Sequence, residues 1–423
     1  MTAEVAVMNK SAVALAADSA ATGRHKIYNS VNKLFQLSDH RPVGIMIYGS
    51  AEIMGVPWET IIKVYRTQLG TRSESTLAEY GQKFISYLVQ NHNLFPDSER
   101  EAYVIRSSVA ILSDLYDHCK YLPKPKSGSL DTIIRQEVEN KYLAALIRHC
   151  GELKNLPQSF KSEIVAKFGG TIEAIITDKF KNALALSAQT IAAIKGYCVE
   201  CLSREFFVEY SGVVIAGFGD DDLFPNLVEY EIEGMAVADF LKHRKKGDTK
   251  IAFDMNVSIN AFAQKEMVES FMTGVHPFVK ETLNAYLKSA LAKYEKAVLS
   301  NVRGKKKAAF KDKLEKATEA FISEWATQLS EHQRQRHIQP VIYAVEMLPK
   351  DELAAMAESL VNLTVLKRRM STDRETVGGP IDVAVISKGD GFIWIKRKHY
   401  FTKDLNPRYL MQRSNTAAHP VLP

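Results

Sequence analysis

Short apolar runs open the chain. Residues 2–8 alternate around Val5 and Val7, Asn9-Lys10-Ser11 makes a turn, and residues 12–17 are small and apolar, which predicts a hairpin. Residues 33–37 and 43–48 are two further strands, the second ended by Gly49-Ser50. Over 51–69 the period becomes helical, with Ile53, Trp58, Ile61, Ile62 and Tyr65 on one side. Helical periodicity then runs from about 75 to 203, through 77–90, 99–119, 132–150 and 170–195. Strand patterns return at 206–217 and 227–232, around the turn Asp220-Asp221-Asp222, with a short strand at 250–253. A second helical stretch covers about 262–334, and 337–345 fits either type. Residues 351–369 form a helix that follows Leu348-Pro349 and opens on Asp351-Glu352. Residues 380–386 and 392–395 make a last hairpin around Gly389-Asp390-Gly391.

Strand patterns at both ends of the chain must meet if they share one core. The simplest architecture is two helix-covered sheets with two helical insertions. In 423 residues there are 22 Gly and 14 Pro, a low share that favours long helices over a loop-rich β fold. The formal charge of +6 is mild, yet ten Lys/Arg face three Asp/Glu between Lys288 and Lys316, so any polyanion preference is local to that stretch. Four cysteines do not make a disulfide scaffold. No apolar run reaches the roughly 18 residues of a membrane span, and no basic segment followed by an apolar core marks a secretory signal. The expectation is a soluble, cytoplasmic protein.

The N-terminus carries the sharpest chemical signal. A small residue at position 2 permits removal of Met1, leaving an N-terminal Thr2. Its hydroxyl can act as nucleophile and its own α-amine, with a pKa of about 7.7–8.0, as the base.

The segments TAEVAVMNKSAVALAADSAATG, NKLFQLS and VGIMIYGSAE resemble the start of a proteasome β-type subunit or of the bacterial HslV peptidase. The matching positions are Thr2, Ala16-Ala17-Asp18, Lys33 and Gly49. GVVIAGFGDDDLFPNLVEYEIEG and GGPIDVAVISKGDGFIWI resemble later segments of that family, so the likeness covers about half the chain. It implies an α+β fold, a four-layer αββα sandwich of the N-terminal-nucleophile (Ntn) hydrolases with two inserted helical regions. The core would comprise 2–71, 205–281 and 337–400, the insertions 72–204 and a basic 282–336, and the tail 401–423.

The resemblance also implies roles. Thr2 would be the nucleophile, Lys33 the cation that activates it, Asp18 the partner of Lys33, and the Gly49 N–H the oxyanion donor. The family's supporting Asp and Ser before a late glycine pair are altered. Val377 directly precedes Gly378-Gly379 where the Ser is expected, Asp373 lies one residue from the Asp position, and Thr376 is the substitute. The family's Gly-Ser-Gly is matched only by Asn260-Ala261-Phe262 with Ser258 nearby. The reaction implied is hydrolysis of peptide bonds through an acyl-enzyme on Thr2, without a metal or other cofactor. The implied partners are further copies in a ring, a peptide or protein substrate and an ATPase, with neither nucleic acid nor membrane.

Two rival readings stay open. One is a scaffold that keeps the fold without the activity, and the other is a polyanion-binding module built on 288–316. Cys198-Val199-Glu200-Cys201 is a CxxC, and His118-Cys119 and His149-Cys150 in the same helical block are residue types that zinc prefers, but no pair of short knuckles is present and these thiols fall on apolar helix faces, so they read as buried free cysteines. The run 242–246 (KHRKK) reads as a solvated loop.

Overall fold

The computed structural model describes residues 2–22, 26–122, 129–154, 156–180, 186–303, 307–372, 377–402 and 405–407. The chain begins with β1 (Ala3–Asn9), β2 (Val13–Ala17) and the small ribbon β3 (Ala21–Thr22) and β4 (Ile27–Tyr28). β5 (Leu34–Gln36), β6 (Val43–Gly49), the ribbon β7 (Glu52–Ile53) and β8 (Val56–Pro57), and α1 (Trp58–Leu69) follow. A helical stretch holds α2 (Leu77–Gln90), α3 (Asp97–Lys120), α4 (Leu130–Glu137), α5 (Ala144–His149), α6 (Phe160–Phe180) and α7 (Ala188–Ser203). Then come β9 (Ser211–Gly217), β10 (Asn226–Val237), β11 (Phe240–Lys250) and β12 (Val257–Ala263). The last elements are α8 (Glu266–Thr273), α9 (Pro277–Ser300), α10 (Lys307–Gln333), α11 (Gln339–Met347), α12 (Lys350–Arg369), β13 (Asp382–Ser387) and β14 (Gly391–Lys396).

The fold is α+β with antiparallel strand pairs, and the chain divides into two units. One unit is 1–31, 251–385 and 393–423, around a sheet of order β12-β1-β2-β13-β14. Ala3, Val5 and Val7 of β1 and Ala12, Ala14 and Ala16 beside or on β2 form one apolar surface. Their small side chains let α12 lie close, through Leu353, Ala357, Leu360, Val361 and Val365. Asn9 ties the hairpin to its surroundings, since its Nδ2 donates to the carbonyls of Val345 and Leu348 at 3.1 and 3.0 Å.

The other unit is 32–250 and 386–392, around a sheet of order β11-β10-β9-β6-β5. α1 buries Trp58, Ile61, Ile62, Tyr65 and Leu69, the side predicted by the helical period. α2 is capped by Thr76, whose side chain accepts the Glu79 N–H, while Glu79 reaches back to the Ser75 N–H. α2, α3 and α6 pack directly on β10, and their Phe84, Tyr103 and Phe160 share one core with Val228, Tyr230 and Ile232. The long helical stretch therefore supplies the cover of the second sheet rather than a core of its own.

Five expectations need correction. The helix expected over 51–69 starts only at Trp58, and Ile53 lies in the ribbon strand β7. The single helix at 170–195 is two, α6 and α7, because Ser187 caps a new start by accepting the Thr190 N–H. The strand at 206–217 begins only at Ser211. The helix expected from about 262 is preceded by β12, which pairs with β1 from Asn9↔Val257 to Ala3↔Ala263 and turns Val257, Ile259 and Ala261 to the core. The run 242–246 is strand, in β11, for an electrostatic reason given below. Among the described residues no helix is long and apolar enough to cross a membrane.

Candidate functional site

The organising group of the first unit is the Asp18 carboxylate, which has no solvent exposure. Oδ1 accepts the Ala3 N–H at 3.0 Å, and Oδ2 accepts the N–H groups of Gly378 at 3.0 Å and Ala20 at 3.2 Å. Three backbone donors on one ionised acceptor are charge-assisted bonds, stronger than neutral ones. They pin the first residue of β1, the chain leaving β2 and the approach to β13. Ser19 repeats the link, with its N–H on the Gly378 carbonyl at 3.0 Å and its hydroxyl on the Pro380 carbonyl.

Gly379 sits at φ +75°, where a β-carbon would meet the Asn29 carbonyl oxygen at 2.6 Å, so the second glycine of the pair is required by the backbone. Thr2 precedes β1 and is 2% exposed with Met1 still in the chain. Its carbonyl accepts the Gln264 N–H at 3.2 Å, and the Gln264 side chain in turn accepts from Arg368 Nε at 3.0 Å. Ser19, Gln264 and Arg368 escaped the sequence reading. Ser19 had the signal of following Asp18, whereas Gln264 was hidden by the missed strand β12.

Lys33 and Gly49 belong to the second unit. Lys33 is buried just before β5, and its carbonyl accepts the Ile47 N–H at 2.9 Å. Gly49 ends β6 at φ +82°, and a β-carbon there would stand 2.5 Å from the Tyr210 carbonyl oxygen. Glycine is thus demanded by the fold at Gly49, whatever approaches its N–H. Asp373 and Thr376 lie outside the described residues.

The same unit holds a charged ladder. Glu229, Glu231 and Glu233 alternate along β10, facing Lys242, Arg244 and Lys246 of β11. Lys242 and Glu233 form an ion pair of 2.8 Å with both side chains under 5% exposed. Lys242 also donates to the carbonyls of Cys201 and Phe206. Burial raises the Glu233 carboxyl against the opposing pull of Lys242 and of the Val208 and Glu209 N–H groups. Tyr48, next to Gly49, donates to Glu229, and burial together with that carboxylate pushes its phenol far up. A run of five basic residues tolerates a strand here because acids stand across from it.

Cys119, Cys198 and Cys201 are buried free thiols. Burial pushes Cys119 up to about 11 and Cys201 to about 12. Among the described residues no cluster of three metal-capable side chains exists.

Comparison with known proteins corrects the resemblance to proteasome β-type subunits and HslV with two helical insertions. No family model matches the chain, and no curated protein matches it. The solved structures similar to it carry another name, Anbu. An Anbu (Gly-1) mutant from Hyphomicrobium sp. strain MC1 is 10% identical, covering 100% of both chains, at a TM-score of 0.27. Anbu (ancestral beta-subunit) from Yersinia bercovieri is 11% identical, over 100% of this chain and 99% of that one, at 0.27. The helical assembly of the Anbu complex from Pseudomonas aeruginosa is 9% identical, over 99% and 98%, at 0.26.

Proposed function

We propose that the chain is an N-terminal threonine hydrolase of amide bonds in peptides or proteins, acting through an ester on Thr2 once Met1 is removed. The observation that carries this reading is the Asp18 carboxylate on the Ala3 N–H. A terminal residue used as nucleophile must be held by the residue after it, because nothing precedes it. Asp18 supplies that hold in the interior, and the Gln264 N–H on the Thr2 carbonyl supplies a second.

In the proposed reaction the Thr2 hydroxyl attacks the substrate carbonyl while its proton passes to the free α-amine. The amine returns that proton to the leaving nitrogen as the amide bond breaks. Water then attacks the ester, releasing the acid and restoring Thr2. Lys33 is given the cationic role and the Gly49 N–H the oxyanion role only as what the resemblance of their segments implies. Asp373 and Thr376 remain proposed supports on the same ground, with Gly378 and Gly379.

The rival scaffold reading has its own support. A buried carboxylate that satisfies three backbone donors staples a fold without any chemistry. Intact mass and covalent labelling by a peptide epoxyketone, which needs both the amine and the hydroxyl of an N-terminal threonine, separate the two. The hydrolase reading expects loss of Met1, one label per chain, and no label on Thr2→Ala. Met1 fully retained, or no label on protein that has lost it, leaves the scaffold.

A further inference from the structure

Thr2 stands just outside the first sheet, one residue before β1 begins at Ala3. A residue at a chain end ordinarily frays unless something ties it down. Here the peptide that joins Thr2 to Ala3 is held at both of its polar groups. Its N–H, on Ala3, goes to Asp18 Oδ1 at 3.0 Å, and its carbonyl, on Thr2, takes the Gln264 N–H at 3.2 Å. In a trans peptide those two groups point to opposite sides, so anchors beyond β2 and β12 together fix the tilt of the plane. With the plane fixed, rotation about Cα–C and about χ1 sets where the Thr2 hydroxyl points.

The second anchor comes from a break in the strand pattern. Val257, Ile259 and Ala261 of β12 face the core that α12 covers, so strict alternation turns Phe262 and Gln264 away from that helix. Gln264 nevertheless bonds to α12. Its side-chain oxygen accepts Arg368 Nε at 3.0 Å, and the residue is 4% exposed. The break falls at Ala263, whose φ of +61° lies in the left-handed region that residues other than glycine rarely enter. Ala263 is still paired with Ala3, so the strained residue sits in the last rung before Thr2. Arg368 stands in the last turn of α12, where the carbonyl end of the helix favours a cation. Its own carbonyl accepts the Ser371 hydroxyl at 3.0 Å.

Backbone strain persists only where its surroundings impose it, and an observed outlier beside a candidate site is a pointer to use. A tie on the residue before the sheet adds little to the sheet, whose rungs between β1 and β12 already run from Ala3 to Asn9. It does fix the plane from which the Thr2 side chain departs. We propose that Gln264 is a positioning residue for the Thr2 nucleophile, held in place by Arg368, and that the left-handed Ala263 lets this one residue reach both Thr2 and α12. This role presupposes that Thr2 is the nucleophile. It adds that the C-terminal turn of α12 takes part, with Arg368 acting through the Gln264 amide rather than on the substrate.

The test uses the full chain after loss of Met1, with a peptide epoxyketone whose concentration is varied to separate the maximal labelling rate from the half-saturating concentration. Gln264→Ala keeps the backbone N–H but drops the amide, and Arg368→Met drops the guanidinium. Each should cut the maximal labelling rate by roughly 10–100-fold, since a small misplacement of a reacting group costs that much, and leave the half-saturating concentration within about twofold. The double variant should be little worse than either single, because the two side chains act as one unit. Gln264→Glu keeps an acceptor for Arg368 and should recover most of the rate. Both single variants labelling at the wild-type rate overturn the proposal. So does a rate loss matched by loss of stability in urea, with Gln264→Glu no faster than Gln264→Ala. Wild-type protein that has lost Met1 and takes no label overturns the nucleophile reading and this role with it, whereas a labelled wild type with unaffected variants overturns the role alone.

Discussion

Asp18 accepts the Gly378 N–H at 3.0 Å across 360 residues of sequence. One short carboxylate at the end of β2 thereby fixes both the start of β1 and the entry to β13, which are sheet neighbours of β2 on either side.

Asp18→Ala removes the acceptor for three buried N–H groups. Bonds to a charged acceptor are worth about 1.5–3 kcal/mol each and are not additive, so a loss on the order of 3–5 kcal/mol is expected in urea unfolding. Asp18→Asn retains one acceptor oxygen and should lose less. An alanine variant within 1 kcal/mol of wild type would show that the carboxylate does not hold the three segments.

Lys242→Met should destabilise by roughly 3–5 kcal/mol, because Glu233 is then left buried beside an apolar group. Adding Glu233→Leu should recover much of that loss, since the uncompensated charge goes with it. A double-mutant cycle by thermal unfolding measures the coupling. A coupling near zero would mean that the pair is not a unit.

His243 stands on β11 with its Nδ1 at 2.8 Å from the Leu241 carbonyl, and burial lowers its pKa. The folded state therefore resists a proton that the unfolded chain takes up below about pH 6.5. Stability should begin to fall as pH drops below that value, and the loss is complete at the depressed folded pKa. His243→Gln should remove this part of the pH dependence. An equal shift in unfolding midpoint between pH 7.5 and 5.5 for both proteins would assign it elsewhere.

Cys119, Cys198 and Cys201 should resist a maleimide or disulfide reagent in native protein, since thiolate is the reactive form and burial disfavours it. All four cysteines should react in denaturant. Fast native labelling at Cys198 would contradict the packing of α7.

The local periods were legible because each element has one apolar side. Trp58, Ile61, Ile62 and Tyr65 announce α1, and residues 77–90 give both ends of α2. β12 was missed although Val257, Ile259 and Ala261 alternate, since Ser258, Asn260 and the small alanines weaken the signal. Only the partner β1 makes it a strand. The basic run 242–246 misled for a related reason, because the acids that neutralise it lie on β10.

A small second residue pointed to Thr2, and the family resemblance is what singled out Thr2 and Asp18 as chemistry. The resemblance also marked Gly49 and Gly379, and the folded chain gives each a backbone reason of its own. The resemblance gives Gly49 an oxyanion role, and the folded chain separately requires glycine there through a positive φ and the close carbonyl of Tyr210. What only the tertiary structure decided is which distant groups share an interior: Asp18 with Gly378, Thr2 with Gln264, Lys242 with Glu233. Periodicity is a property of neighbours along the chain and is written in every helix and strand. Pairing between buried polar groups depends on the excluded solvent around them, and that exists only once the chain has folded.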